Sequence, residues 1–232
     1  MRSLVALALV FSTATFADRV SDARKRRTHD LEHLVQKVGL TLPLDEVYLR
    51  VFKQERQVEL WATSTRNGPM VLVKTYDICS ASGEAGPKRK EGDLQVPEGF
   101  YEVPEFNAVS NYHLALKVSY PNASDRVRSD RVTPGGLIYL HGNCVSIGCI
   151  AIRDEPVEEV YLLALDAKRK PVRLDSFPSR LTRAELQTSD SPHAAFWKEL
   201  LPGLEVFTRT HRPPAFTIDR KSGAYVVENT GK

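Results

Sequence analysis

The run Val47-Tyr-Leu-Arg-Val-Phe52 constrains the fold most, because its near-perfect alternation of period two suits a strand and little else. Gln57–Ala62 answers it across a short polar turn, so the two read as a hairpin. Asn67-Gly-Pro69 marks another turn before a strand over 71–78. Further short strands are expected at 100–103, 112–119, 136–140 and 170–175. A small hairpin is expected around Lys221-Ser-Gly223, with arms 215–218 and 224–227. Helical spacing appears at Leu31, Leu34, Val35 and Val38, ending at Gly39. It recurs over 154–165, with Asp154 as the N-terminal signal and Pro156 just inside. Residues 182–207 read as helix in two pieces, broken near Ser191-Pro192. Segments 80–99 and 121–135 lack apolar periodicity and read as long polar loops, and loops of that length often carry function. Strands that are neighbours in sequence, with a few helices, imply a mixed α+β domain that is mainly β, a sheet or sandwich.

The N-terminus carries an export pattern: Arg2, then the apolar run Leu4–Phe11, then Thr15-Phe-Ala17 with small residues where a signal peptidase reads. Residues 1–17 are therefore expected to be a signal peptide, 18–46 an N-terminal helical leader, 47–180 the catalytic domain, and 181–232 a C-terminal helical extension and hairpin packed on it. Eight apolar residues are too few to span a bilayer, and no second hydrophobic span follows, so no stable membrane span is expected. The destination is a periplasm or cell envelope. A net charge of +3 implies no strong field for nucleic acid. The basic run Arg24-Lys-Arg-Arg27 reads as a solvated leader, with contact to an anionic polymer or surface as the other option.

The chemistry concentrates at His141-Gly-Asn-Cys-Val-Ser-Ile-Gly-Cys149, which follows the apolar run 136–140. A thiol and an imidazole held together at a strand end suit acyl transfer, in which the imidazole takes the thiol proton and the thiolate attacks a carbonyl. Cys149 is thus the expected nucleophile and His141 the expected base, lowering the thiol's effective pKa through an ion pair. The second ring nitrogen of His141 needs an acceptor to fix the tautomer. Gly142 and Gly148 allow a sharp turn and close approach. The N–H groups of Gly148 and Cys149 are candidate oxyanion donors, and Ser146 a turn support. Arg153, His113 and Lys88 are secondary candidates for binding substrate, with Arg89 and Lys90 beside the last. Cys79 and Cys144 either pair, if the strand over 71–78 lies beside the one ending at Leu140, or stay buried thiols; a Cys144–Cys149 bridge is a third arrangement. A zinc site from His141, Cys144, Cys149 and Cys79 lacks paired-cysteine knuckles and ranks well below thiol catalysis, so no metal is expected.

His141-Gly142 followed by Ser146-Ile-Gly-Cys149 resembles the signature of the YkuD-type L,D-transpeptidases. Ser82-Gly83, Gly86–Lys90, Glu91–Tyr101, Ser119–Asn122 and Glu158–Tyr161 resemble the YafK-like branch of that family. The likeness covers roughly residues 47–180. It implies a mainly β catalytic fold with cysteine and histidine at a cleft rim, a backbone carbonyl as the usual partner of the histidine, and no cofactor. Many members carry an arginine two residues after the cysteine; here Ala151 stands there, and YafK-like members also lack that arginine, so the departure points within the family. The resemblance further implies peptidoglycan stem peptides as substrates, attacked at the L-centre of diaminopimelate. A thioester passed to an amine makes a cross-link or attaches a protein; passed to water it makes a hydrolase. Release of a wall-attached lipoprotein is associated with the branch. A peptidoglycan-binding module without turnover is the remaining alternative.

Overall fold

A computed structural model describes residues 16–228. The expected signal peptide falls almost wholly outside the described residues, which begin at Phe16 inside helix α1 (Phe16–Gln36). A five-stranded sheet contains β1 (Glu46–Phe52), β2 (Gln57–Thr63), β3 (Val71–Asp77), β4 (Gly99–Val103) and β9 (Val172–Phe177) in the order β3-β2-β1-β9-β4. A four-stranded sheet runs β5 (Phe106–Ser110), β6 (His113–Lys117), β7 (Tyr139–His141), β8 (Ile150–Ala151). Helices α2 (Ala123–Arg128), α3 (Asp154–Asp166), α4 (Arg183–Thr188) and α5 (Ala194–Thr210) and the hairpin β10 (Phe216–Ile218), β11 (Tyr225–Val227) complete the described chain. The fold is mixed α+β, with strands outnumbering helices eleven to five among the described residues.

Alternation along β1 explains the layering. Val47, Leu49 and Val51 enter one core with Leu60 of β2, Leu114 and Leu116 of β6, Leu140 of β7 and Val157, Val160 and Tyr161 of α3. That core joins the two sheets. Phe52 points to the opposite face and packs with Phe100, Phe177, Trp197, Leu200 and Tyr225. The C-terminal segment is therefore a second cover for the central sheet, which is why β1 is buried on both faces. Each fully buried Leu or Phe contributes roughly 2 kcal/mol of transfer free energy.

Several elements depart from the sequence reading. The charged stretch 18–30, within the expected helical leader, is docked rather than solvated, because its charges are used: Arg24 pairs with Asp166 of α3, and Arg26 and Arg27 with Glu158. The basic run is neither a free leader nor an open patch. Residues 106–110 form β5, which weak alternation hid. Within the expected loop 121–135, α2 forms around a capping box, Asn122 accepting from the Asp125 N–H while the Asp125 side chain accepts from the Asn122 N–H. Asp154 is not the cap of α3; Arg153 occupies that position, at φ 67° and without a side-chain cap bond. The Asp154 carboxylate instead accepts from the Asn143 N–H at 2.7 Å, fastening the loop after His141. Strand β3 lies in the other sheet from β7, not beside it.

Asp125 is buried beneath Arg89 and accepts from the Tyr101 hydroxyl at 3.0 Å. Burial raises its carboxyl to about 6, against the Asn122 N–H, Tyr101 and the nearby arginines. A folded-state pKa above the unfolded one means that ionisation opposes folding. Stability from this group is therefore present at low pH and declines as pH rises from about 4 to about 6. Thermal melts across that window should show a shallower decline, or a rise, for Asp125→Asn relative to the wild type. Parallel curves would remove Asp125 as the cause.

Candidate active site

Strand β7 ends at His141, and β8 lies parallel to it in the register Leu140 to Ile150 and His141 to Ala151. Cys149 immediately precedes β8, level with Tyr139. In parallel strands paired residues share a face and the side-chain period is two, so Tyr139, His141 and Cys149 lie on one side. His141 and Cys149 both line a cleft of about 840 Å³. The intervening loop is held at both ends. Ser146 Oγ donates to the Cys149 carbonyl at 2.7 Å and accepts from the Gly148 N–H at 3.2 Å. Cys144, midway along it, forms a disulfide with Cys79. That pairing arises because the chain leaving β3 crosses to β8, where Cys79 N–H donates to the Ala151 carbonyl at 2.9 Å. It also takes two of the four side chains from the zinc arrangement.

His141 is buried, and its Nδ1 lies 2.5 Å from the Gly142 carbonyl. A carbonyl only accepts, so Nδ1 carries the hydrogen and Nε2 of the neutral ring keeps its lone pair. Burial pushes the imidazole below its ordinary pKa, against that hydrogen bond. Burial pushes the Cys149 thiol up, against the Tyr139 backbone hydrogen bond and the Lys88 charge. Shifts in these opposite senses favour a neutral thiol and a neutral imidazole at rest over the ion pair that the sequence reading expected. The Sγ also lies 3.7 Å from the Leu137 carbonyl, a proton acceptor for the resting thiol.

The secondary candidates separate. Lys88 lines the cleft but is buried, and its ammonium donates to Asp93 at 2.7 Å and to the Lys90 carbonyl at 2.9 Å. Asp93 stays below the usual carboxylate range: burial raises it, but Lys88 and the N–H groups of Lys90, Arg89 and Gln95 outweigh that. Lys88 therefore acts on the cleft as a fixed positive charge rather than a free hand for substrate. His113 is turned away from the cleft, its Nε2 2.9 Å from Glu158. Arg153 is exposed at the start of α3 and does not line the cleft. The Gly148 N–H donates to Ser146 Oγ, so of the two expected donors the Cys149 N–H is the remaining candidate. Sequence reasoning missed Tyr112, whose ring covers the imidazole at 4.8 Å between centroids and 31° between planes. An aromatic next to a strand histidine was the available signal, but only the β5–β6 turn brings it to His141.

Gly142 is a requirement of space: a Cβ there would lie 2.5 Å from Asp154 Oδ1 and 3.0 Å from the Tyr112 carbonyl. Gly142→Ala should displace the Asp154 contact and shift the carbonyl that holds Nδ1. About a tenfold loss of Cys149 reactivity is expected in thiol-labelling kinetics. An unchanged rate would show that the loop absorbs the methyl group.

Comparison with known proteins bears on the same segment. The L,D-transpeptidase catalytic domain (YkuD) profile matches residues 46–174, which run from the first strand to the middle of β9 and include both His141 and Cys149. The chain belongs to the YkuD family of L,D-transpeptidases. It is 31% identical to the Escherichia coli (strain K12) protein named Putative L,D-transpeptidase YafK, over 97% of this chain and 89% of that one. Among solved structures, the chain aligns with the helical cell shape determining protein Pgp2 from Campylobacter jejuni at 18% identity and a TM-score of 0.47, covering 81% of this chain and 80% of that one. Bd1075 of Bdellovibrio bacteriovorus aligns at 21% identity and a TM-score of 0.41, covering 73% and 59%. Helices α4 and α5 and the hairpin β10–β11 follow the matched segment and cover the central sheet. Among the described residues no helix is long and apolar enough to cross a membrane.

Proposed function

We propose that the protein is a secreted cysteine acyltransferase acting on peptidoglycan stem peptides in the cell envelope, exported by residues 1–17. The observation that carries this is the parallel pairing of β7 and β8, which sets Cys149 and His141 on one cleft. Nε2 of His141 takes the thiol proton as Sγ attacks the carbonyl of the L-centre of diaminopimelate. A tetrahedral intermediate forms, its oxyanion facing the Cys149 N–H. The carbon–nitrogen bond then breaks, and the imidazolium returns the proton to the departing amine. An acceptor attacks the resulting thioester, His141 takes its proton, and the thiol is restored. An amine acceptor gives a cross-link or an attached protein; water gives hydrolysis. The residues need no cofactor for these steps.

One observation favours hydrolytic release of a wall-attached lipoprotein as a second reading. Leu94, Val109, Tyr112, Val132, Leu137 and Ile147 line the cleft and are exposed, Val132 and Ile147 by 88% and 80%. A stem peptide, with little beyond methyl groups and carboxylates, leaves such a rim uncovered, whereas a polypeptide joined to it would not. The deciding experiment is mass spectrometry of products from two substrates, with Cys149→Ala alongside. One substrate is a tetrapeptide-stem fragment with an amine acceptor; the other is a lipoprotein peptide joined to diaminopimelate. Cross-linked or exchanged species, absent with the variant, establish transfer. Release of the peptide with gain of water establishes hydrolysis. No change in either leaves a binding module in front.

A further inference from the structure

Tyr112 is 41% exposed, yet its ring lies 4.8 Å from the imidazole of His141, tilted by 31° over one face of it. It belongs to the tight β5–β6 turn, whose register pairs Ser110 with His113. Three contacts brace that turn from the side away from the cleft. Arg19 of α1 donates through one guanidinium nitrogen to the Ser110 carbonyl at 2.6 Å and the His113 carbonyl at 3.1 Å. His113, at φ 70°, holds Glu158 of α3 through Nε2. Glu158 is buried and also receives Arg26 and Arg27 of α1, at 2.5 and 2.8 Å. A bulky residue in the left-handed region persists only where its surroundings impose it, and here an ion-paired carboxylate does so. The turn meets the base directly through the Tyr112 ring on the imidazole, and its Tyr112 carbonyl lies where a side chain on Gly142 would fall, 3.0 Å from a Cβ placed there. Gly142 in turn supplies the carbonyl that holds Nδ1.

We propose that Tyr112 is a positioning residue for His141, and that Arg19 and the His113–Glu158 pair set it by bracing the β5–β6 turn from behind. This rests on His141 acting as the base for Cys149. The ring blocks tipping of the imidazole while the Gly142 carbonyl blocks its rotation, so the imidazole keeps one orientation on the cleft it shares with Cys149. Helix α1, which precedes the matched catalytic segment, is thereby part of the apparatus that orients the base.

Cys149 is the free cysteine of the described chain, so the rate of its alkylation by iodoacetamide reports the pair directly. The charged and titratable groups around His141 are Cys149, Lys88, Glu91, Tyr139 and Tyr112 itself at the cleft, Asp154 beside Gly142, and His113 with Glu158 behind the turn. At pH 7, Tyr112→Ala should alkylate about tenfold more slowly than wild type and Arg19→Ala about threefold more slowly, since misaiming a base costs rate without touching the nucleophile. Arg19→Lys, which keeps a donor within reach of one carbonyl, should recover part of the loss. Well above the raised thiol pKa, where hydroxide removes the proton, all rates should converge. Wild-type rates in Tyr112→Ala and Arg19→Ala, with His141→Ala slow, would overturn the positioning role and leave His141 as base. Deficits that persist at high pH would also overturn it, by showing general damage. A wild-type rate in His141→Ala would remove the base itself, and the inference with it.

Discussion

Replacing Cys149 by alanine should abolish thioester formation, and His141→Ala should lower turnover by roughly 10⁴-fold, because neither group has a substitute in the cleft. The double variant should be hardly worse than either single one, since a nucleophile and its base act as one unit. The resting pair also dictates a pH profile. The imidazole must be neutral to act as base, and burial holds its pKa below the ordinary 6.5. Activity, measured as kcat/KM, should therefore survive to lower pH than an exposed histidine would allow. Burial holds the thiol above its ordinary 9.0, so the basic limb should lie beyond that value. A broad plateau between the limbs is the expected result. An acid limb above pH 7 would contradict a buried neutral base, and a narrow bell centred near 7 would favour a pre-formed ion pair. Lys88→Met should raise the basic limb further, because it removes the positive charge that Asp93 holds beside the cleft.

Removing the Cys79–Cys144 disulfide should produce the largest loss of stability from a surface-proximal change. The bridge spans 65 residues of sequence, and a crosslink closing a loop of that length restricts the unfolded chain by about 4 kcal/mol on a chain-entropy account. For a chain of this size, the paired variant Cys79→Ser with Cys144→Ser should melt about 10 °C lower. The same loss should follow when the wild type is melted with a dithiol reductant, and the reductant should not affect the variant. Activity should fall as well. Cys144 lies in the loop that joins the base to the nucleophile, so its release loosens residues 142–149 at their midpoint. Ser146, Asp154 and the backbone bonds of Gly142 to Leu114 and of Arg153 to Asn143 would then hold that loop without a covalent tie. An unchanged melting temperature would show that the pairing of Cys79 and Ser80 with β8 already fixes this crossing without the bond.

The elements legible in the sequence are those whose signals are local. Alternation in 47–52 and 57–62 predicts β1 and β2, because period two and a polar turn are properties of contiguous residues. The break at Ser191-Pro192 separates α4 from α5 where proline forbids continuation. His141 and Cys149 were readable as a pair because a strand end, glycines and a short spacing already bring a thiol toward an imidazole. Strand β5 escaped because its alternation is weak and its burial partial, and α2 because a six-residue helix rests on a capping box and on Tyr101, not on its own periodicity.

What the sequence by itself determined is the β1–β2 and β10–β11 hairpins, the helices over 154–165 and 194–207 and the spacing of His141 and Cys149, all set by interactions within a few turns or strands. The tertiary structure decided the rest. It inserted β9 between β1 and β4, placed Cys79 beside Cys144, and laid the C-terminal helices over Phe52 and Phe177. It also assigned the charges: Lys88 to Asp93, His113 to Glu158, and Arg19 to the turn that carries Tyr112. Each of these choices depends on a partner distant in sequence. A charged side chain carries no local mark of whether it will meet substrate, solvent or an opposite charge, because burial and proximity are properties of the assembled core.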